Sequence, residues 1–98
     1  MIDKIETIDD VVTFSRELIN EGANFHPDDD FATYVHIKTG EPSYTREEAA
    51  LRNELMSQAF VVCEQKAIDI YNLTMEVYLK ETGLDQFIPL PSQIPDSQ

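Results

Sequence analysis

Cationic residues are scarce in this 98-residue chain: seven lysines and arginines stand against 19 aspartates and glutamates, for a formal charge of −12. Binding a phosphate backbone requires clustered Lys and Arg to displace counterions, so nucleic acid and anionic membrane surfaces are poor partners. Nowhere do about 18 apolar residues run together, as a helical membrane span requires. The opening residues, MIDKIETIDD, lack both the basic and the apolar regions of a secretory leader, and the expectation is a cytoplasmic chain.

Cysteine is nearly absent. One residue, Cys63, can form neither an internal disulfide nor a multi-thiolate metal site. It lies mid-helix between Phe60 and Ala67 on an apolar face, where a thiol behaves as a small hydrophobe. A nucleophilic role would need His26 or His36 brought to it by the tertiary fold. The three glycines, Gly22, Gly40 and Gly83, are isolated, so no Gly-rich loop exists to cradle a phosphate, and nothing in the pattern calls for a cofactor. Asn72-Leu73-Thr74 matches a glycosylation acceptor but falls mid-helix, where it carries no weight.

What is present is a long helical stretch from Tyr44 to Gly83 with no proline or glycine before its end. Thr45 reads as N-cap with Glu48 completing a capping box, and Gly83 supplies a left-handed stop. Counted from Met56 at 100° per residue, Ala49, Ala59, Phe60, Cys63, Ala67, Ile70, Tyr71, Thr74, Val77 and Tyr78 form one seam. Further apolar side chains flank it on both sides, as a central, multiply packed helix requires.

Length makes this stretch a problem. Arg46 to Glu81 is 36 residues, about 54 Å if straight, whereas a domain of this size has a radius of gyration of roughly 13 Å. Either the helix breaks, with Glu64-Gln65-Lys66 the expected place, or a second subunit covers the overhang. A homodimer packed through the long helices is expected, with Met56, Phe60, Tyr71 and Tyr78 as its interface. Small residues along the seam argue for close helix crossing over a strict coiled coil.

Before this stretch, a compact amphipathic helix is expected from Ile8 to Asn20, capped by Thr7, with Asp9 and Asp10 in its first turn and Gly22 just beyond. Ile8, Val11, Val12, Leu18 and Ile19 share one face, with Ser15 inside the stripe. Pro27 and the aspartates after it predict a short helix from Pro27 to about Val35, the competing reading being a strand over Phe31 to Ile37. After Gly83 the chain reads LDQFIPLPSQIPDSQ, which predicts an extended, Pro-containing C-terminal tail. The expectation is an all-α small helical bundle: one helical domain over residues 1–90 with one long or kinked central helix and a short N-terminal helix packed on it, then a flexible tail over 91–98.

Only the segment from His26 to His36 holds groups suited to metal chemistry. Its candidates are His26, Asp28, Asp30 and His36, carboxylates suiting Mg²⁺ or Ca²⁺ and imidazole favouring Zn²⁺ or Mn²⁺. Neither an EF-hand spacing nor an HExxH accompanies them. Aspartates that follow one another on a helix also point in different directions about its axis. Three function classes stay open. The first is a small acidic, non-enzymatic interaction or regulatory module that self-associates through its long helix. The others are a metal-dependent enzyme or metal-binding protein using the His26–Asp30/His36 segment, and an acidic nucleic-acid mimic that blocks a DNA-binding protein.

Overall fold

A computed structural model describes residues 1–86. Three α-helices, α1 (Ile8–Asn20), α2 (Arg46–Gln65) and α3 (Ile70–Thr82), make an all-α bundle, with short 3-10 turns at Phe31–Thr33 and Leu84–Gln86. Among the described residues no β-strand forms, and no helix is long and apolar enough to cross a membrane. The tail expected to run through Pro89, Pro91 and Pro95 lies outside the described residues.

Local chemistry sets both ends of α1. Thr7 Oγ1 accepts from the Asp10 backbone N–H at 3.1 Å while the Asp10 carboxylate accepts from Thr7 N–H at 3.1 Å, a capping box that satisfies two orphan donors. At the other end Gly22 takes φ +85°, Ala23 N–H reaches Leu18 O at 3.1 Å and Gly22 N–H reaches Ile19 O at 2.9 Å. This pair of bonds is a Schellman stop. Thr45 and Glu48 repeat the capping box on α2.

The long stretch breaks, and it breaks where the polar patch ends. Lys66 closes α2, Ala67 adopts φ +55°, and Ile68 N–H bonds Cys63 O at 2.9 Å while Ala67 N–H bonds Glu64 O at 3.1 Å. The motif is the one that ends α1, built here on an alanine. Asp69 then restarts the helix, its carboxylate accepting from Tyr71 N–H at 2.8 Å and Asn72 N–H at 3.2 Å. A straight rod of about 54 Å would exceed the longest dimension of the molecule, 46 Å. The elbow removes that mismatch by turning α3 to pack chiefly on α1, with a lesser contact to α2.

The core forms where the three apolar faces meet. Val11, Phe14 and Leu18 from α1 pack with Leu55, Met56, Ala59, Val62 and Cys63 from α2 and with Ile70 from α3, while Ile5 and Phe31 close it from the connecting segments. The buried positions differ in part from the counted seam. Ala67, placed on the seam by a continuous count, is exposed, whereas Leu55 and Val62, counted as flanks, are buried. Burial holds the Cys63 thiol above its ordinary pKa, which disfavours the thiolate.

One expected element does not form. The helix predicted from Pro27 to Val35 is replaced by a turn, the 3-10 turn Phe31–Thr33 and a hairpin-like excursion joined by a single antiparallel bridge between Val35 and Pro42. The aspartates explain why, since short side chains that bond nearby backbone compete with helix. Asp29 accepts from His26 N–H at 3.3 Å, and Asp30 accepts from Ala32 N–H at 2.9 Å. The competing strand reading fares little better, because only the Val35 bridge and the backbone bonds around His36 and Glu41 resemble a ladder.

A buried cation ties α2 to the end of α1. The Arg52 guanidinium donates to both carboxylate oxygens of Glu21 and, at 3.0 Å, to Glu48 O, and it lies 4.4 Å over the Tyr44 ring. Tyr44 in turn donates to Glu21 at 3.0 Å. The cluster fixes where the segment after α1 departs, and that segment builds one wall of the site described next.

Candidate functional site

Once α1 has stopped at Gly22, Ala23 and Phe25 pack against the core and Pro27 is buried, anchoring the loop on three side chains. Hydrogen bonds then fix its path. Asp29 N–H donates to His26 O at 2.9 Å, Asp28 N–H donates to His26 Nδ1 at 3.2 Å, and Tyr34 Oη donates to Asp29 at 2.7 Å. Asn53 on α2 clamps the far end, accepting from Phe31 N–H at 3.0 Å and donating to Asp30 at 2.8 Å.

This fixed loop faces α3 across a groove of about 210 Å³. Phe25, His26 and Pro27 form one wall, and Tyr71, Thr74, Met75 and Tyr78 form the other. Tyr71 joins the two walls: its hydroxyl donates to the Asp28 carboxylate at 2.8 Å and its ring lies 5.6 Å from that of His26. Phe60 of α2 approaches Tyr71 edge-on at 6.1 Å. The bond to Asp28, with some burial, holds the Tyr71 hydroxyl above its ordinary pKa and so protonated. Thr74 is also engaged, donating to Ile70 O at 2.9 Å. With those hydroxyls engaged, the groove offers mainly aromatic and thioether surface, Asn24 and His26 being the polar residues of its loop wall.

Exposure extends this surface along the helix. Met75 is 52% exposed and Tyr71 43%, four residues apart on one stripe of α3, and Ile68, 37% exposed, precedes them in the elbow. Val61, 54% exposed, adds to the apolar surface on the α2 side of the elbow. Asp28 stands beside the groove on the loop, and Asp69, the N-cap of α3, lies close enough to act on the Tyr71 hydroxyl, while Lys80 is the basic residue in the last turn of that helix. A broader depression of about 820 Å³ lies between the end of α1 and the hairpin, lined by Tyr34, Val35, Ile37 and Lys38 among others. It is open, and the fully exposed Ile37 at its edge encloses nothing. The smaller groove is the better-built receptor.

The predicted site residues separate into two outcomes. Tyr71 and Tyr78 line the groove and Phe60 packs edge-on against Tyr71, but Met56 sits in the core at 4% exposure. His26, Asp28, Asp30 and His36 do not converge. His26 and Asp28 are at the groove, Asp30 caps the 3-10 turn and bonds Asn53, and His36 belongs to the hairpin, where its backbone pairs with Glu41 and Gly40. Among the described residues no three His, Cys, Asp or Glu side chains gather as an ion would require. Sequence periodicity missed the loop wall of Phe25 and Pro27, because it comes from residues more than 40 positions away along the chain. Comparison with known proteins adds no relative: no family model, no curated protein and no solved structure matches the chain.

Proposed function

We propose that this protein is a small acidic, non-enzymatic interaction module whose docking face is the groove between the His26 loop and α3. The observation that carries the reading is the exposed pair Tyr71 and Met75 on one stripe of α3, lining a prebuilt and mostly apolar cleft. Aromatic residues and methionine are the types enriched where proteins meet, and Met75 can adapt its shape to an incoming side chain. At about 210 Å³ the cleft falls below the roughly 300 to 1,000 Å³ usual for small-molecule sites, so it suits one or two side chains of a protein partner.

Other readings draw less support. Self-association was expected because a straight helix would overhang, and the elbow removes that overhang. A metal-dependent reaction would need ligands that converge, whereas Asp28, Asp29 and Asp30 each bond a neighbouring group. A nucleic-acid mimic would need an unbroken acidic face, and the apolar stripe interrupts it.

The test is selection from a random peptide library against the full chain, with Met75→Glu as the counter-target. Met75 is half exposed, so a charge there leaves the fold intact. The reading predicts peptides that bind the native chain and lose at least about tenfold in affinity, or about 1.4 kcal/mol, against Met75→Glu at unchanged Tm. Peptides that bind both chains equally would overturn it.

A further inference from the structure

The chemistry around the groove also says what kind of partner fits. Resting on the docking reading above, we propose that the groove receives a bulky apolar side chain carried on a basic protein segment, with lysines or arginines flanking that anchor.

Three observations converge on a cation-flanked anchor. The chain carries 19 acidic residues against seven basic ones, so any approaching segment meets a negative potential. Locally, Asp28 stands at the loop edge of the groove, bonded to Tyr71, and Asp69, the cap at the start of α3, lies close enough to act on the same hydroxyl. A segment entering the groove therefore meets carboxylates at its Tyr71 end. Finally, most of the lining is apolar: Phe25, Pro27, Met75 and the aromatic faces of Tyr71 and Tyr78 offer burial to a bulky side chain, with Asn24 and His26 the polar members of the loop wall. Those aromatic faces also attract cations, and arginine most of all.

A second copy of the chain fits less well. Two-fold packing through this face would bring together two chains of formal charge −12, with Asp28 and Asp69 of each copy near the seam, and like charges brought together oppose association. A basic segment turns the same carboxylates from a cost into steering and register.

The experiment uses the peptides recovered by the library selection, with amide chemical-shift mapping on the full-length protein. The proposal expects sequences with a net positive charge around one Phe, Leu, Ile or Met. They should shift the amides of residues 25–28 and 71–78. Affinity should fall about tenfold or more when salt rises from about 0.1 M to about 1 M, which cuts the screening length from roughly 10 Å to 3 Å. Replacing the flanking lysines by glutamines should produce a similar loss. Neutral or acidic peptides that shift the same amides and ignore salt would overturn the charge rule while leaving the docking face standing. Basic peptides that shift scattered amides and bind Met75→Glu unchanged would overturn both, as would the recovery of no peptide. A concentration-dependent dimer that shifts the same amides without any peptide would replace the basic partner with a second copy.

Discussion

Ala67→Gly should stabilise this protein, although it removes a side-chain atom and adds no contact. Ala67 holds φ +55° at the elbow, in the position that Gly22 occupies at the end of α1 with φ +85°. For an L-residue with a β-carbon the left-handed region costs about 1 to 2 kcal/mol, and glycine escapes that cost. Against this, glycine makes the unfolded chain more flexible, which takes back about 0.4 to 1 kcal/mol. The alanine methyl is exposed, so its loss changes burial little. The net gain is about 0.8 kcal/mol, or about 3 to 6 °C in Tm for a chain of this length. The mirror substitution Gly22→Ala should cost a similar amount through backbone strain alone, because a β-carbon there would meet no atom within 4 Å. Urea denaturation of both variants, with m-values compared to the native chain, measures the pair. A less stable Ala67→Gly would refute the assignment of a left-handed stop to Ala67, and with it the argument for where and why the helix breaks.

Other substitutions probe the packing. Ser15 is 1% exposed and its hydroxyl has no hydrogen-bond partner, so Ser15→Ala should stabilise by about 1 kcal/mol in denaturant titration. Arg52→Ala should cost about 2 kcal/mol; the full loss for a buried pair, about 3 to 5, is reduced because the Glu21 side chain keeps 30% exposure. A double-mutant cycle with Glu21→Gln separates the pair from the loss of stacking on Tyr44. Tyr44 also gives a pH signature. Burial first, then donation to Glu21, raises its pKa from 10.0 to about 12. The folded state thus favours the protonated phenol, so its contribution is complete below pH 10 and is lost between pH 10 and 12. Tyr44→Phe should flatten the fall in stability across that window, followed by circular dichroism; an unchanged slope would contradict the assignment.

Much of the fold was legible because helix ends are written in local chemistry. Thr7, Thr45 and Gly83 mark their positions through side-chain oxygens or a missing β-carbon, and the structure places them where the caps require. The break was legible as a length problem, and its approximate place as a polar patch. Its mechanism was not, since alanine is the best helix former and gives no sign of a stop, while Asp69 reads as a polar surface residue until the chain turns there. The Pro27–Val35 segment was misread because charge near a helix start and an acceptor that locks a turn use the same residue, and only geometry separates them. Arg52 and the groove share another cause. Glu21 meets Arg52 across 31 positions and Asp28 meets Tyr71 across 43, and no periodicity reports such pairings. Half of the candidate site was visible as an aromatic shoulder on the long helix. The loop that turns this shoulder into a groove was not.

The central claim, that the α3 groove is where a partner docks, is tested most directly by the methionine methyl groups. Met75 lies in the groove, Met56 is buried in the core at 4% exposure, and Met1 is 46% exposed at the start of the chain. With methyl-labelled methionine and a selected basic peptide added in steps, the account predicts that the Met75 signal moves to saturation while the signals of Met56 and Met1 stay in place. Saturable binding that leaves the Met75 signal unmoved would contradict it.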